Sequence, residues 1–187
     1  MKHYKRFFVL LAGVLLLGSA ACGGGVSGPR LSDPQDFITR MKAGGYLSGD
    51  LIALSPNFET RSAEGKPFWF WTDDHEDYDE YCISVSIDPD GMLASYRWHG
   101  AIEADTINAF NKDLSPEEEF ALVKKFIAEF RPDLKGLAWE KKVLVDTIMK
   151  YREAWVTNDG KEDCGVMVWS GEVVAFAYGN DLGSILT

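Results

Sequence analysis

The chain has 187 residues, of which 46% are hydrophobic and 13% aromatic, and its formal net charge at pH 7 is −10. This length suits one domain or two small ones, and the aromatic content supports a packed core without a structural metal. The negative charge argues against nucleic acid as a partner and against direct binding to anionic lipid headgroups, because both would repel such a surface.

Residues 1–21 have the three-part layout of an export signal. Three basic residues precede an apolar stretch at positions 7–17, and small residues occupy positions 18–21. The apolar stretch is shorter than the roughly 20 residues that cross a bilayer. The pattern therefore favours a signal peptide that is removed over a transmembrane anchor that is retained.

Cys22 follows the small residues directly, and this arrangement resembles the lipobox of bacterial lipoproteins, with Ser19 at a position where Leu is usual. In that family the signal is cut before the cysteine, whose sulfur receives a diacylglycerol. The resemblance implies lipidation of Cys22 and a location in the cell envelope, with the protein held on the extracytoplasmic side of a bacterial membrane. The alternative is an ordinary secretory signal, which would leave Cys22 as a free thiol.

Residues 22–30 are rich in glycine, and such a segment is flexible and has little to bury. We interpret it as a tether between the lipid and a folded body. Removal of residues 1–21 leaves 166 residues and takes away three basic but no acidic ones, so the net charge becomes −13. The lipid would then be the means of attachment to the membrane.

In the first half of the body, the sequence predicts one helix and three strands. The helix carries Phe37, Ile38 and Met41 on one face and ends at two glycines, and residues 46–67 have no clear pattern. Strands are predicted at 68–71, 82–87 and 92–98. The last two are joined by Asp-Pro-Asp-Gly at 88–91, a sequence typical of a tight turn.

In the second half, a longer helix is predicted to follow Ser115. Ser115 and Glu118 have the spacing of a capping box, and Pro132 ends the helix. Its apolar residues recur at intervals of three and four and form one stripe: Phe120, Val123, Phe126, Ile127 and Phe130. Strands are predicted at 139–145, 151–157, 164–169 and 172–178, with a tight turn at Ser170 and Gly171.

The two halves resemble each other, since each has a helix that starts near a Ser and a Pro and is followed by strands. Cys82 and Tyr96 have the same separation as Cys164 and Tyr178. The predicted fold is therefore α+β, with two related units at residues 31–104 and 105–187. Each unit is a helix packed on an antiparallel β-meander.

Cys82 and Cys164 remain once Cys22 is assigned to the lipid. An even number of cysteines in an oxidising compartment predicts a disulfide. Closing so long a loop would stabilise the fold by about 4–5 kcal/mol. The alternative is a pair of buried, unpaired thiols.

The Leu-Ser-Pro-Glu-Glu start at residues 114–118, the helix end at 130–132 and the hairpin at 83–98 resemble the PepSY-type repeat, in the version found in the YcdB/YcdC repeat proteins of bacteria. The resemblance implies a non-enzymatic role. Such domains are thought to inhibit or chaperone secreted proteases or to regulate cell-surface hydrolases. A protein partner in the cell envelope is therefore expected, and no cofactor.

Six carboxylates occur within residues 73–80. Oxygen ligands suit Ca²⁺, and the candidate ligands are Asp73, Asp74, Asp77 and Asp79. The spacing lacks the glycine and terminal glutamate of an EF-hand, so a solvated loop is the simpler interpretation. A lipoprotein that binds a small ligand or a divalent cation is the alternative function.

Aromatic residues are the other candidate for binding. Phe68, Trp69, Phe70 and Trp71 form an unbroken row, which places two side chains on each face of a strand. A solvated face of that strand would be a candidate partner surface. The remaining tryptophans mostly alternate along predicted strands and are expected to pack in the core.

Overall fold

The computed structural model describes residues 30–31, 34–47, 58–61, 65–71, 83–98, 114–147 and 150–179. These contain two α-helices, a short 3₁₀ helix and eight β-strands. In chain order they are α1 (Pro34–Ala43), β1 (Phe58–Arg61), β2 (Pro67–Trp71), β3 (Ile83–Ile87), β4 (Leu93–Trp98), α2 (Pro116–Phe130), the 3₁₀ helix (Pro132–Leu134), β5 (Glu140–Thr147), β6 (Lys150–Asn158), β7 (Asp163–Trp169) and β8 (Glu172–Tyr178).

The eight strands form one antiparallel sheet in the order β1-β2-β3-β4-β8-β7-β6-β5. The prediction of an α+β fold is confirmed. The two predicted hairpins, β3–β4 and β7–β8, share this sheet, because β4 and β8 pair directly, with Tyr96 opposite Phe176. The last strand of the first half thus meets the last strand of the second half at the centre of the sheet.

Both helices pack on the same face of the sheet. The Phe37 ring of α1 lies 5.2 Å from that of Tyr96, and the Phe126 ring of α2 lies 5.7 Å from that of Phe176. The helices also contact each other through Phe37 and Phe130, whose ring centroids are 5.1 Å apart. The central strands are buried on both faces, and the face away from the helices carries small side chains there: Ser86, Ser95, Ala175 and Ala177.

The N-terminus of α2 has the predicted capping box. The Ser115 hydroxyl accepts a hydrogen bond from the backbone N–H of Glu118 at 3.3 Å, and the Glu118 carboxylate accepts one from the N–H of Ser115 at 2.9 Å. These contacts satisfy two backbone donors that the first helical turn leaves free. The predicted end of the helix at Arg131 and Pro132 is also confirmed.

Two tight turns define opposite ends of the sheet. At one end, Gly91 has a φ of +83° and donates from its N–H to the carbonyl of Asp88. Leu31 donates to the carbonyl of Gly91 at 2.6 Å, so the chain joins the body at this end. At the other end, Ser170 and Gly171 have φ values of 50° and 82°, the signs that a type I′ hairpin turn requires.

The sequence did not predict strand β1, which lies in the stretch 46–67 that showed no clear pattern. Its four residues, Phe-Glu-Thr-Arg, are too few to display a period of two. β1 exists because its backbone pairs with β2, with Thr60 opposite Phe68. Such a pairing depends on a neighbour and leaves little trace in the strand's own composition.

Candidate functional site

Several residues predicted to form sites lie outside the described residues. These are the lipidation candidate Cys22, the cysteine Cys82 and the candidate cation ligands Asp73, Asp74, Asp77 and Asp79. Where the structure does describe the chain, no group of three histidines, cysteines or carboxylates is placed to hold a metal ion.

The aromatic row in β2 divides between the two faces as predicted. Trp69 and Trp71 lie on the helix side, opposite Val85 and Ile83 of β3, and Trp71 is buried. Phe68 and Phe70 lie on the other side, where their rings stack with centroids 6.3 Å apart. Both phenylalanines are half-buried. A partner surface on β2 stays a prediction, and its exposed area is modest.

Five of the six tryptophans pack in the core or against it. Trp71 and Trp98 are buried, and Trp69, Trp139 and Trp155 pack partly buried against the core. Trp169 is different, because 45% of its surface is exposed. The bulge opposite Met167 and Val168 lies in β8, where Val174 has no partner, so Trp169 stays on the same face of β7 as Met167. Alternation alone does not predict its exposure, because Met167 on the same face is buried, whereas Trp169 is the last residue of the strand.

Trp169 lies at the tip of the β7–β8 hairpin, which is a rigid support. It is paired with Glu172 across the turn, and the turn itself is the tight one at Ser170 and Gly171. The strands behind it are held in the core by fully buried residues such as Val166 and Phe176. A large aromatic ring is thus presented to solvent on a fixed backbone, which lowers the entropy cost of using it for binding.

At the opposite end of the sheet, Arg131 is buried, with only 4% of its side chain exposed. Its guanidinium group donates to both carboxylate oxygens of Asp133, at 2.8 and 3.0 Å, and to the Leu93 carbonyl at 3.1 Å. It also lies 3.9 Å from the centroid of the Tyr178 ring. The Asp133 carboxylate balances the charge of the guanidinium group, whose N–H groups donate to Asp133 and to the Leu93 carbonyl. Arg131 therefore joins the end of α2 to the sheet.

Asp159 extends this network on the solvent side. Its carboxylate accepts hydrogen bonds from the backbone N–H groups of Lys161 and Glu162 and from the Tyr178 hydroxyl, the last at 2.7 Å. The N–H of Glu162, then the Tyr178 hydroxyl and the N–H of Lys161, lower the pKa of Asp159 to about 2. The carboxylate is therefore ionised at neutral pH and holds the β6–β7 turn against β8.

Cys164 lies opposite Tyr178 in the sheet and is fully buried. Burial raises the pKa of its thiol far above the usual range, so it is protonated at neutral pH and is a poor nucleophile. Its predicted disulfide partner Cys82 precedes Ile83, the first residue of β3, and strands β4 and β8 lie between β3 and β7. The disulfide stays a prediction.

A cavity of about 490 Å³ lies beside the Arg131 network. Among the described residues it is lined by Arg30, Asp88, Asp90, Met92, Arg131, Asp133 and Tyr178. Its carboxylates already have partners within the protein, since Asp133 binds Arg131, Asp88 lies 3.4 Å from the Lys66 ammonium and Asp90 accepts from the N–H of Met92. The structure gives this cavity a role in joining chain segments.

A second cavity, of about 470 Å³, runs beside the edge strand β5. We call it the β5 groove. The described residues that line it are Ala138, Trp139, Glu140, Lys142, Leu144, Val156, Thr157, Asn158 and Asp163. Three of these are large and apolar, and they stand next to charged groups that are open to solvent. No local pattern in the sequence indicates this groove, because the groove depends on which strand lies at the edge of the sheet.

Of the helices that the structure describes, none is long and apolar enough to cross a membrane. No protein-family model, no curated protein and no solved structure matches this chain.

Proposed function

We propose that this protein is a lipid-anchored lipoprotein of the cell envelope that binds another protein without catalysing a reaction itself. Its partner would be a secreted protease or a cell-wall hydrolase, whose activity it modulates. The export signal and Cys22 support the location. The observation that carries the binding role is Trp169, which is 45% exposed at the tip of a rigid hairpin.

Trp169 is suited to protein recognition for physical reasons. Tryptophan is among the residues that contribute most to binding energy, because a large rigid ring buries much area while losing few rotamers. The tight turn next to Trp169 and the buried strands behind it keep the ring in place before binding. Cys164, by contrast, has a thiol whose pKa is raised by burial, which makes it unsuited to nucleophilic chemistry.

The proposal extends to the architecture and the family. We propose that the chain consists of two related PepSY-like units, each a helix followed by an antiparallel meander. In support, α1 precedes β1–β4 in the chain, α2 precedes β5–β8, and the two runs of strands are arranged in mirrored order about the β4–β8 pair. The protein-binding role of such repeats agrees with the role that Trp169 suggests.

The test replaces Trp169 with a photo-crosslinking amino acid in the full chain, in the cells that make it. We expect ultraviolet light to join the protein to a specific envelope protein, identified by mass spectrometry. The matched control carries the same amino acid at Lys135, which is exposed at the other end of the molecule. The same adduct from both positions, or no adduct from position 169, would contradict the proposal.

A further inference from the structure

The edge strand β5 offers a second binding feature. It is the last strand in the sheet order, and residues 140–143 are all exposed. Half of the Val143 surface is open to solvent. Within the described part of the chain, its outer backbone groups have no neighbouring strand. An edge of this kind can pair with an extended segment of another chain.

We propose that β5 and the β5 groove bind an extended peptide segment of a partner protein, which adds to the sheet as a strand and places a basic side chain in the groove. This inference rests on the proposed protein-binding function and specifies a partner chemistry for it. In this mode of recognition, backbone hydrogen bonds give affinity, and a pocket for one side chain gives specificity.

The groove lies where a side chain of an added strand would reach it. Glu140, Lys142 and Leu144 are at alternate positions of β5 and all line the groove, whereas Lys141 points to the helix side and bonds Glu119. Alternate residues of a neighbouring strand would project to the same side as the groove. A strand added beside residues 140–143, before the bulge, therefore projects alternate side chains to the side of the groove.

The chemistry of the lining favours a long basic side chain. Trp139, Leu144 and Val156 provide apolar walls for an aliphatic stem. The carboxylates of Glu140 on β5 and Asp163 on β7 are exposed. Glu140 pairs with Lys142 and Asp163 accepts from the Asn158 amide at 2.8 Å, and each keeps acceptor positions for the charged end, because a carboxylate has about four. Lys142 is the one cation among the described residues of the lining, and its ammonium lies 2.5 Å from the Glu140 carboxylate. The net charge of −10 also favours a basic partner.

The features of β5 argue against a second copy of this chain as the occupant. Lys141 and Lys142 would face like charges in several registers of a self-paired edge. The bulge between Val143 and Val145 bends the strand and shortens its regular part. Charged residues and bulges of this kind are the usual means by which sheet edges avoid pairing with themselves.

The test measures binding of two labelled peptides to the mature full chain carrying Cys22→Ser. Both peptides alternate threonine and valine, and one has a central arginine while the other has a central glutamate. We expect the arginine peptide to bind at least about tenfold more tightly in fluorescence anisotropy. The double variant Glu140→Gln, Asp163→Asn should weaken it about tenfold. Glu117→Gln on α2 is the control and should leave the affinity unchanged.

A third peptide separates strand addition from simple charge attraction. It keeps the arginine but carries N-methyl groups at alternate positions, so it cannot form the backbone ladder. We expect it to lose binding. Three outcomes would each overturn the inference. The arginine and glutamate peptides bind equally, the N-methylated peptide binds as well as the unmodified one, or no peptide binds and the protein instead associates with itself through β5. A crosslink at position 169 that persists in such a case leaves the proposed function standing.

Discussion

At the scale of single residues, Asp159 shows how neighbours alone can fix the charge of a carboxylate that faces solvent. Three donors converge on it, from two backbone N–H groups and the Tyr178 hydroxyl. Tyr178 in turn lies under the Arg131 guanidinium group. Folding favours the ionised form of Asp159 more strongly than the unfolded chain does, and this difference makes the stability of the fold depend on pH.

The pKa of Asp159 is lowered from 3.8 to about 2 on folding. Its stabilising contribution is therefore fully present above the unfolded value and is lost as the pH falls through about 2. We expect Asp159→Asn to lower the free energy of unfolding at about pH 6, and the gap from the unchanged protein to narrow as the pH approaches about 2. Urea unfolding at both pH values measures this.

Tyr178→Phe provides the matched control for this prediction. It removes one donor to Asp159 and keeps the ring that contacts Arg131, so Asp159→Asn should have a smaller effect in that background. The account would be contradicted if the free energies of unfolding of Asp159→Asn and the unchanged protein differed by the same amount at both pH values.

At this scale the sequence predicted only part of the candidate site. The division of the β2 aromatic row between two faces follows from a period of two, and the structure has it. The exposure of Trp169 does not follow from that period, because Met167, two residues earlier on the same face, is buried. The Arg131 network was missed because Arg131, Asp159 and Tyr178 are far apart in the sequence, and only the fold brings them together.

At the scale of elements, the end of α1 is set by two glycines and a buried tyrosine. Gly45 has a φ of +69°, which other residues rarely adopt. Tyr46 then turns back onto the helices, where its hydroxyl donates to Glu129 at 2.8 Å and its ring meets that of Phe126 edge-on. Its carbonyl accepts from the N–H of Val173 at 2.9 Å, which joins the segment to β8. The sequence predicted the stop but not the contact that requires Gly44.

Gly44 must lack a side chain, because a Cβ there would overlap the Tyr46 ring. Tyr46 is fully buried and cannot move aside easily. We expect Gly44→Ala to lower the free energy of unfolding by about 1–3 kcal/mol. Gly136→Ala is the control, since a Cβ there meets nothing within 4 Å, and its effect should be within about 0.5 kcal/mol. Equal unfolding free energies for the two variants in urea would refute this reasoning.

Element boundaries followed closely from local patterns, and the exceptions are instructive. The capping box at Ser115 and the hairpin turns at 88–91 and 170–171 are local signals, and the structure has all three. β1 was missed because it is short and depends on β2 for its hydrogen bonds. The 3₁₀ helix Pro132–Leu134 was missed because a single turn has no periodicity to detect.

At the scale of the whole molecule, the property that the sequence did not predict is the continuity of the sheet. Each hairpin is encoded locally, but the pairing of β4 with β8 joins residues about 80 positions apart, such as Tyr96 and Phe176. That single pairing merges the two runs of strands. It also decides which strands lie at the edges, and with them the position of the β5 groove.

The location of the whole molecule is tested at Cys22. The acidic body is repelled by anionic headgroups, so the proposed lipid would be its attachment. We expect Cys22→Ser to move the protein from the membrane fraction to the soluble fraction, measured by fractionation and immunoblotting. Ser19→Ala is a control that keeps the cysteine and should leave the protein in the membrane fraction. Membrane association that persists in Cys22→Ser would overturn the proposed anchoring.

The hydrogen bond from Leu31 to Gly91 places the attachment of the chain at one end of the sheet, and Trp169 stands at the other. With a lipid at Cys22, residues 22–30 would reach at most about 30 Å from the bilayer. The seven residues of β7 would add about 20 Å. Trp169 would then be confined to a thin layer above the membrane. The effective concentration of a partner held in the same layer would be far above its average concentration in the compartment. Even a partner of low affinity would therefore be bound for much of the time.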